Sequence, residues 1–106
     1  MKELGEIYDI LKMMRATMGD PSFDWAAYLK GKEDRIGRQK LDALLAMIAK
    51  RGLAEGIAVR EYVNEPAPTV IVGRPRITMD GLEYLEENSS MRKAARIAAG
   101  IVDAIP

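Results

Sequence analysis

Arg38, Gln39 and Lys40 stand together at the start of a predicted helix, with Arg35 just before them and Lys50 and Arg51 near its end. Their chemistry is that of charge and hydrogen bonding, suited to phosphate rather than to bond making. Guanidinium and ammonium groups pair with phosphate oxygens, and an open helix N-terminus adds backbone N–H donors to the same anion. Cations in a first turn oppose the helix dipole, at a cost of about 0.3–1 kcal/mol each when exposed. Local stability alone therefore favours Asp or Glu there, and an anionic partner offsets the cost. With Leu41 inward, steps of about 100° per residue turn Gln39, Ala43, Ala46 and Lys50 outward. Gln39 can pair with adenine, and small alanines let a helix sit close in a groove. The candidate contacts to duplex DNA are Arg35, Arg38, Gln39, Lys40, Ala43 and Lys50. Asp42 flanks this face and repels phosphate. The competing reading is a solvated helix whose charges keep the protein soluble.

Other chemistries find little material. The chain has no histidine and no cysteine, which removes the usual general base, thiol nucleophile and zinc ligands. A non-enzymatic protein is expected, with no catalytic residue, metal or cofactor. Glu83, Glu86 and Glu87 lie within one helical turn and read as a solvated face. Asp20, Asp24, Glu33 and Asp34 lack the glycine-centred spacing of a calcium loop. Gly5, Gly31, Gly37 and Gly52 read as turns or caps, not as a phosphate-binding loop. Phe23, Trp25 and the seven methionines read as core packing. Nothing argues for an oxidising compartment, and Lys2-Glu3 leads into an amphipathic pattern rather than a secretory signal. The apolar run from Ile97 to Val102 is too short to span a bilayer. A cytoplasmic protein without a membrane partner is expected.

The elements that must hold the basic cluster follow from periodicity. At 106 residues the chain is long enough for one domain with a modest core. Net charge is zero, yet residues 35 to 51 hold five basic side chains against one acidic, hence +4, while residues 1 to 34 hold five basic against seven acidic, hence −2. Leu4, Ile7, Tyr8, Leu11, Met14 and Met18 predict a helix over 2–18, ended by Gly19-Asp20-Pro21. Asp24 can cap a short second helix closed by Gly31, with Lys32-Glu33-Asp34-Arg35 as a charged connector or its continuation. Gly37 is the N-cap of the third helix, Leu41, Leu44, Leu45 and Ile48 its buried stripe, and Gly52-Leu53 its Schellman end.

A β-hairpin follows, with Ile57 to Val63 and Thr69 to Val72 as strands around Asn64 to Pro68. Its tip carries Glu65 and no cation, which suits DNA poorly. Pro66 and Pro68 stiffen the turn and blunt strand edges. Arg60, Arg74 and Arg76 lie nearer the base, the last two flanking Pro75 in a rigid exit from the strand. Thr78 is predicted as a helix N-cap, with Ile77 and Leu82 as a hydrophobic staple. Asn88 can end that helix, and Ser89 or Ser90 can cap a last, alanine-rich one.

The order of elements is that of a winged helix with an added C-terminal helix. More specifically, Arg74-Pro75-Arg76-Ile77-Thr78, then Gly81-Leu82-Glu83-Tyr84-Leu85-Glu86-Glu87-Asn88-Ser89, resembles the YjcQ-like family of small bacterial and phage proteins. Leu44-Leu45-Ala46-Met47-Ile48 followed by Gly52-Leu53-Ala54-Glu55-Gly56-Ile57 is similar to the same family's third helix and first strand. The resemblance covers roughly residues 23 to 104 and implies a winged-helix fold, without supplying catalytic residues. Gly37 replaces the family's customary serine cap, and Arg38-Gln39-Lys40 replaces an acidic first turn.

The expected protein is thus a single α+β domain, mostly helical, with a winged helix-turn-helix and a two- to three-stranded wing. Its small-residue C-terminal helix, 90–106, is a candidate homodimerisation element. Duplex DNA is the expected partner, and a protein-interaction module that does not touch DNA is the alternative.

Overall fold

The computed structural model describes residues 2–98, with side chains described for 3–89. The elements are α1 (Lys2–Ala16), α2 (Trp25–Ile36), α3 (Arg38–Lys50), β1 (Ala54–Arg60), β2 (Thr69–Ile77) and α4 (Met79–Ala98). Four helices and a two-stranded antiparallel sheet make a mostly helical α+β fold, compatible with a winged-helix arrangement. The wing has two strands among the described residues.

Helix α1 buries Ile7, Tyr8, Ile10, Leu11 and Met14. Ile10 completes the face that three- and four-residue spacing outlined, whereas Leu4 and Met18 at the two ends are exposed. This face meets the stripe of α3, Leu41, Leu44, Leu45 and Ile48, and Leu85 of α4, which is fully buried. At roughly 25 cal/mol per Å² of apolar surface removed from water, this shared cluster is the main source of stability.

Two corners set the position of α3. Helix α2 does not close at Gly31; it continues through the charged run to Ile36. A mid-helix glycine costs about 1 kcal/mol, and the packing of Leu29 and Ile36 on the core outweighs it. Gly37 alone then separates α2 from α3, at φ 93° and ψ 151°, a region essentially restricted to glycine. At the other end Leu53 N–H donates to Ile48 O and Gly52 N–H to Ala49 O, each at 3.0 Å, which is the expected Schellman pair.

The wing is irregular near its base. Glu55 pairs with Arg76 but Ile57 pairs with Val72, so Gly73-Arg74-Pro75 bulges opposite Gly56. A Cβ on Gly56 would collide with the Arg74 carbonyl oxygen, so only glycine fits beneath the bulge. The bulge also accommodates Pro75, which cannot donate to a ladder. Tyr62 and Val63 lie beyond β1 in the exposed tip, and β2 runs on past Val72 to Ile77.

Thr78 is the cap of α4. Gly81 N–H donates to its hydroxyl oxygen at 3.0 Å, and that hydroxyl donates in turn to Gly52 O at 2.6 Å. Thr78 N–H also donates to Leu53 O at 3.1 Å, so one residue joins the end of α3 to the start of α4. Gly81 is buried against this junction. Helix α4 corrects one expectation: Asn88 does not end it and no separate helix starts at Ser89 or Ser90. The Asn88 side-chain amide donates to Tyr84 O at 2.8 Å, satisfied inside a helix that continues to Ala98. The side chains of 90–98 and all of 99–106, on which the dimer expectation rests, lie outside the described residues. Among the described residues no helix is long and apolar enough to cross a membrane.

Candidate nucleic-acid interface

Helix α3 is held on one side by β1 and on the other by α2 and α1. The covered arc is wider than its leucine stripe, and it takes in Ala46, which is buried. Ala46 was expected to face outward; the exposed position beside it is Met47. The remaining outer face is Gln39, Lys40, Met47 and Lys50, all exposed, with Ala43 half-buried between them. Four of the six candidate residues, Gln39, Lys40, Ala43 and Lys50, therefore share one face, and Arg38 stands at its edge by the Gly37 corner.

Arg38, Lys40 and Lys50 have carboxylate partners. Arg38 Nε lies 3.2 Å from Asp42 and Arg38 Nη1 lies 3.3 Å from Glu33. Asp42 raises the Arg38 pKa by hydrogen bonding and by charge. Lys40 is paired with Glu3 at 3.0 Å, a contact that holds the Glu3 carboxyl below its ordinary range. Lys50 is hydrogen-bonded to Glu61 of the wing. Asp42, read as a flanking repulsive charge, is also the partner that offsets the unfavourable first-turn position of Arg38. The Lys40–Glu3 and Lys50–Glu61 side chains are largely exposed, and exposed pairs contribute little to stability, whereas Arg38 is exposed but its partner Asp42 is only 13% so. The two exposed lysine pairs exchange readily for another anion.

Arg35 belongs to a different arrangement. Its two terminal nitrogens grip Glu6 of α1 at 2.5 and 2.7 Å, and Lys32 reaches the same carboxylate at 2.8 Å. The Glu6 and Lys32 side chains are only 13% and 10% exposed. Arg35 and then Lys32 hold the Glu6 carboxyl down at about 2. Lys32 also sits 5.7 Å from the centre of the Tyr28 ring. Burial, followed by the charges of Asp9 and Glu6, pushes the Tyr28 hydroxyl up to about 12. The candidate contact Arg35 is thus placed in a clamp between α1 and α2, away from the α3 face. With the charged run read as a connector or as a continuation of α2, the sequence alone does not single out Lys32. Its spacing from Leu29 and Ile36 puts it on the inner face once the helix is extended.

Two arginines of the same region, Arg51 and Arg60, are exposed and have no ionic partner among the described residues. Arg51 directly follows α3, and Arg60 pairs with Thr69 across the wing. No group of three or more acidic side chains able to hold a metal ion occurs among the described residues.

No curated protein and no solved structure matches the chain. A family model described as YjcQ protein matches residues 8–104, which takes in α1 from Tyr8 onward as well as the wing and α4. On that match over nearly its whole length, the chain belongs to the YjcQ family.

Proposed function

We propose that this protein is a small, non-catalytic winged-helix DNA-binding protein that reads duplex DNA through the outer face of α3. The observation that carries the reading is the exposure of Gln39, Lys40, Met47 and Lys50 on a helix anchored from behind by five buried side chains. Arg38 and Lys40 leave their carboxylates for phosphate, Gln39 meets a base edge, and Arg51 and Arg60 add backbone contacts. The proposal extends to a cytoplasmic homodimer formed through the C-terminal helix, because paired reading heads suit duplex DNA. Full-length protein sedimenting as a monomer at high micromolar concentration would remove the dimer.

A titration on random duplex DNA at several salt concentrations tests the main reading. Affinity should fall with a log–log slope of about −0.9 per phosphate contact. The slope should be small, because each paired cation leaves a carboxylate as it takes a phosphate. Arg38→Glu combined with Lys40→Glu should abolish binding while the protein stays folded by circular dichroism. Unchanged binding in that variant sinks the role of α3.

A second reading, a protein-interaction module, is favoured by the neutralised cations, the exposed Met47 and the acidic wing tip. It predicts no salt-dependent binding to duplex DNA in the unaltered protein.

A further inference from the structure

A concave region lies beside the base of the wing. The α1–α2 loop and the β2 bulge enclose a cleft of about 690 Å³. That volume falls within the range of small-molecule sites, roughly 300–1,000 Å³. Met14, Met18, Phe23, Trp25 and Pro75 line it. Phe23 and Trp25 meet edge to face at 5.0 Å between ring centres, and Trp25 and Tyr28 at 5.4 Å, so the aromatic wall is braced.

The polar groups of the cleft differ in how far they are satisfied. Asp20 accepts from Ser22 N–H at 3.0 Å and from the Ser22 hydroxyl at 2.6 Å. Asp24 accepts from Ala27 N–H at 3.0 Å as the cap of α2. Arg76 has Glu55 at 3.7 Å. Arg74 is the exception. Its guanidinium donates to Pro21 O at 3.2 Å and has no carboxylate among the described residues. A guanidinium carries five N–H donors in a fork matched to a carboxylate. The bulge over Gly56 sets Arg74 here, since a regular strand would change the register of residues 73–75.

We propose that this cleft binds a small organic anion with an aromatic body, its acid group on Arg74 and its rings against Phe23, Trp25 and Met18. The site is independent of any DNA contact through α3. Trp25 is the only tryptophan in the chain, so its fluorescence reports on the cleft directly.

The probe is 8-anilinonaphthalene-1-sulfonate, titrated into the folded protein, with uncharged N-phenyl-1-naphthylamine as its comparison. The anionic dye should quench Trp25 saturably and bind more tightly than the neutral one. Arg74→Gln should weaken the anionic dye about tenfold and leave the neutral dye unchanged. Arg60→Gln, which removes the same charge outside the cleft, should leave both unchanged. Met18→Glu, at an exposed position, should exclude the anionic dye by repulsion and serves if Arg74→Gln does not fold. Equal affinity for both dyes, dye binding without Trp25 quenching, or full anionic-dye affinity in a folded Arg74→Gln or Met18→Glu variant would overturn the proposal.

Discussion

The α1–α2 clamp and the outer face of α3 are built from the same residue types, and they do opposite things. Glu6, Lys32 and Arg35 meet where two of the three side chains are nearly out of water. Lys40 and Lys50 meet Glu3 and Glu61 where solvent reaches both partners, while Arg38, itself exposed, meets a mostly buried Asp42. In the first region, removing one partner strands a charge in a poor solvent for it. At Lys40 and Lys50, water replaces whatever partner leaves. A cation's burial, more than its presence in a basic stretch, decides whether it is a fastener or an available contact. Lys32 and Lys50, 10% and 60% exposed, fall on different sides of that division.

The comparison breaks most visibly at Glu6. Glu6→Gln leaves Lys32 with only Asp9, 3.9 Å away, and should cost about 2–3 kcal/mol in a urea titration. A loss no larger than that of an exposed pair would show that the clamp is as dispensable as the α3 face. Acid sharpens the same point. The Glu6 carboxyl is held at about 2 in the folded chain, against an ordinary value of 4.5. Its contribution is full above the unfolded value and is lost as pH falls from about 4.5 toward 2. Thermal melts across that window should decline less steeply in Glu6→Gln than in the unaltered protein.

Thr78→Ala should cost about 1 kcal/mol as the loss of a helix cap, with Thr78→Ser recovering most of it in the same assay. The hydroxyl's second bond, to Gly52, links two elements as the clamp does, but with no charge to strand. The smallest effect is expected at Lys50. Lys50→Gln should leave the urea midpoint within experimental scatter, because its partner Glu61 is equally exposed.

What the sequence made legible is what short stretches of chain decide. The Thr78 cap, the Gly52-Leu53 end of α3 and the leucine stripe each depend on residues within about one or two turns, and all three are present in the structure. Gly31 and Asn88 were misleading for the converse reason. Each is a local stop signal overridden by something non-local or unforeseen, the packing of Leu29 and Ile36 in one case and a side-chain bond to Tyr84 O in the other. The face of α3 was legible apart from Ala46, because a wheel gives direction but not the width of the neighbours that cover it. The pairings of Arg35 with Glu6 and Lys40 with Glu3 span most of the helical half of the chain. No spacing rule reaches that far.

The Thr78 junction has a mechanical consequence. Helix α4 is 20 residues long, and its base is bonded to the backbone where α3 ends. At 1.5 Å per residue it is an arm of about 30 Å. If the junction transmits a tilt of α3 of ~10° rigidly, the arm's far end swings by about 5 Å. The outer face of α3 and the far end of α4 are then two ends of one lever, with its fulcrum at a threonine.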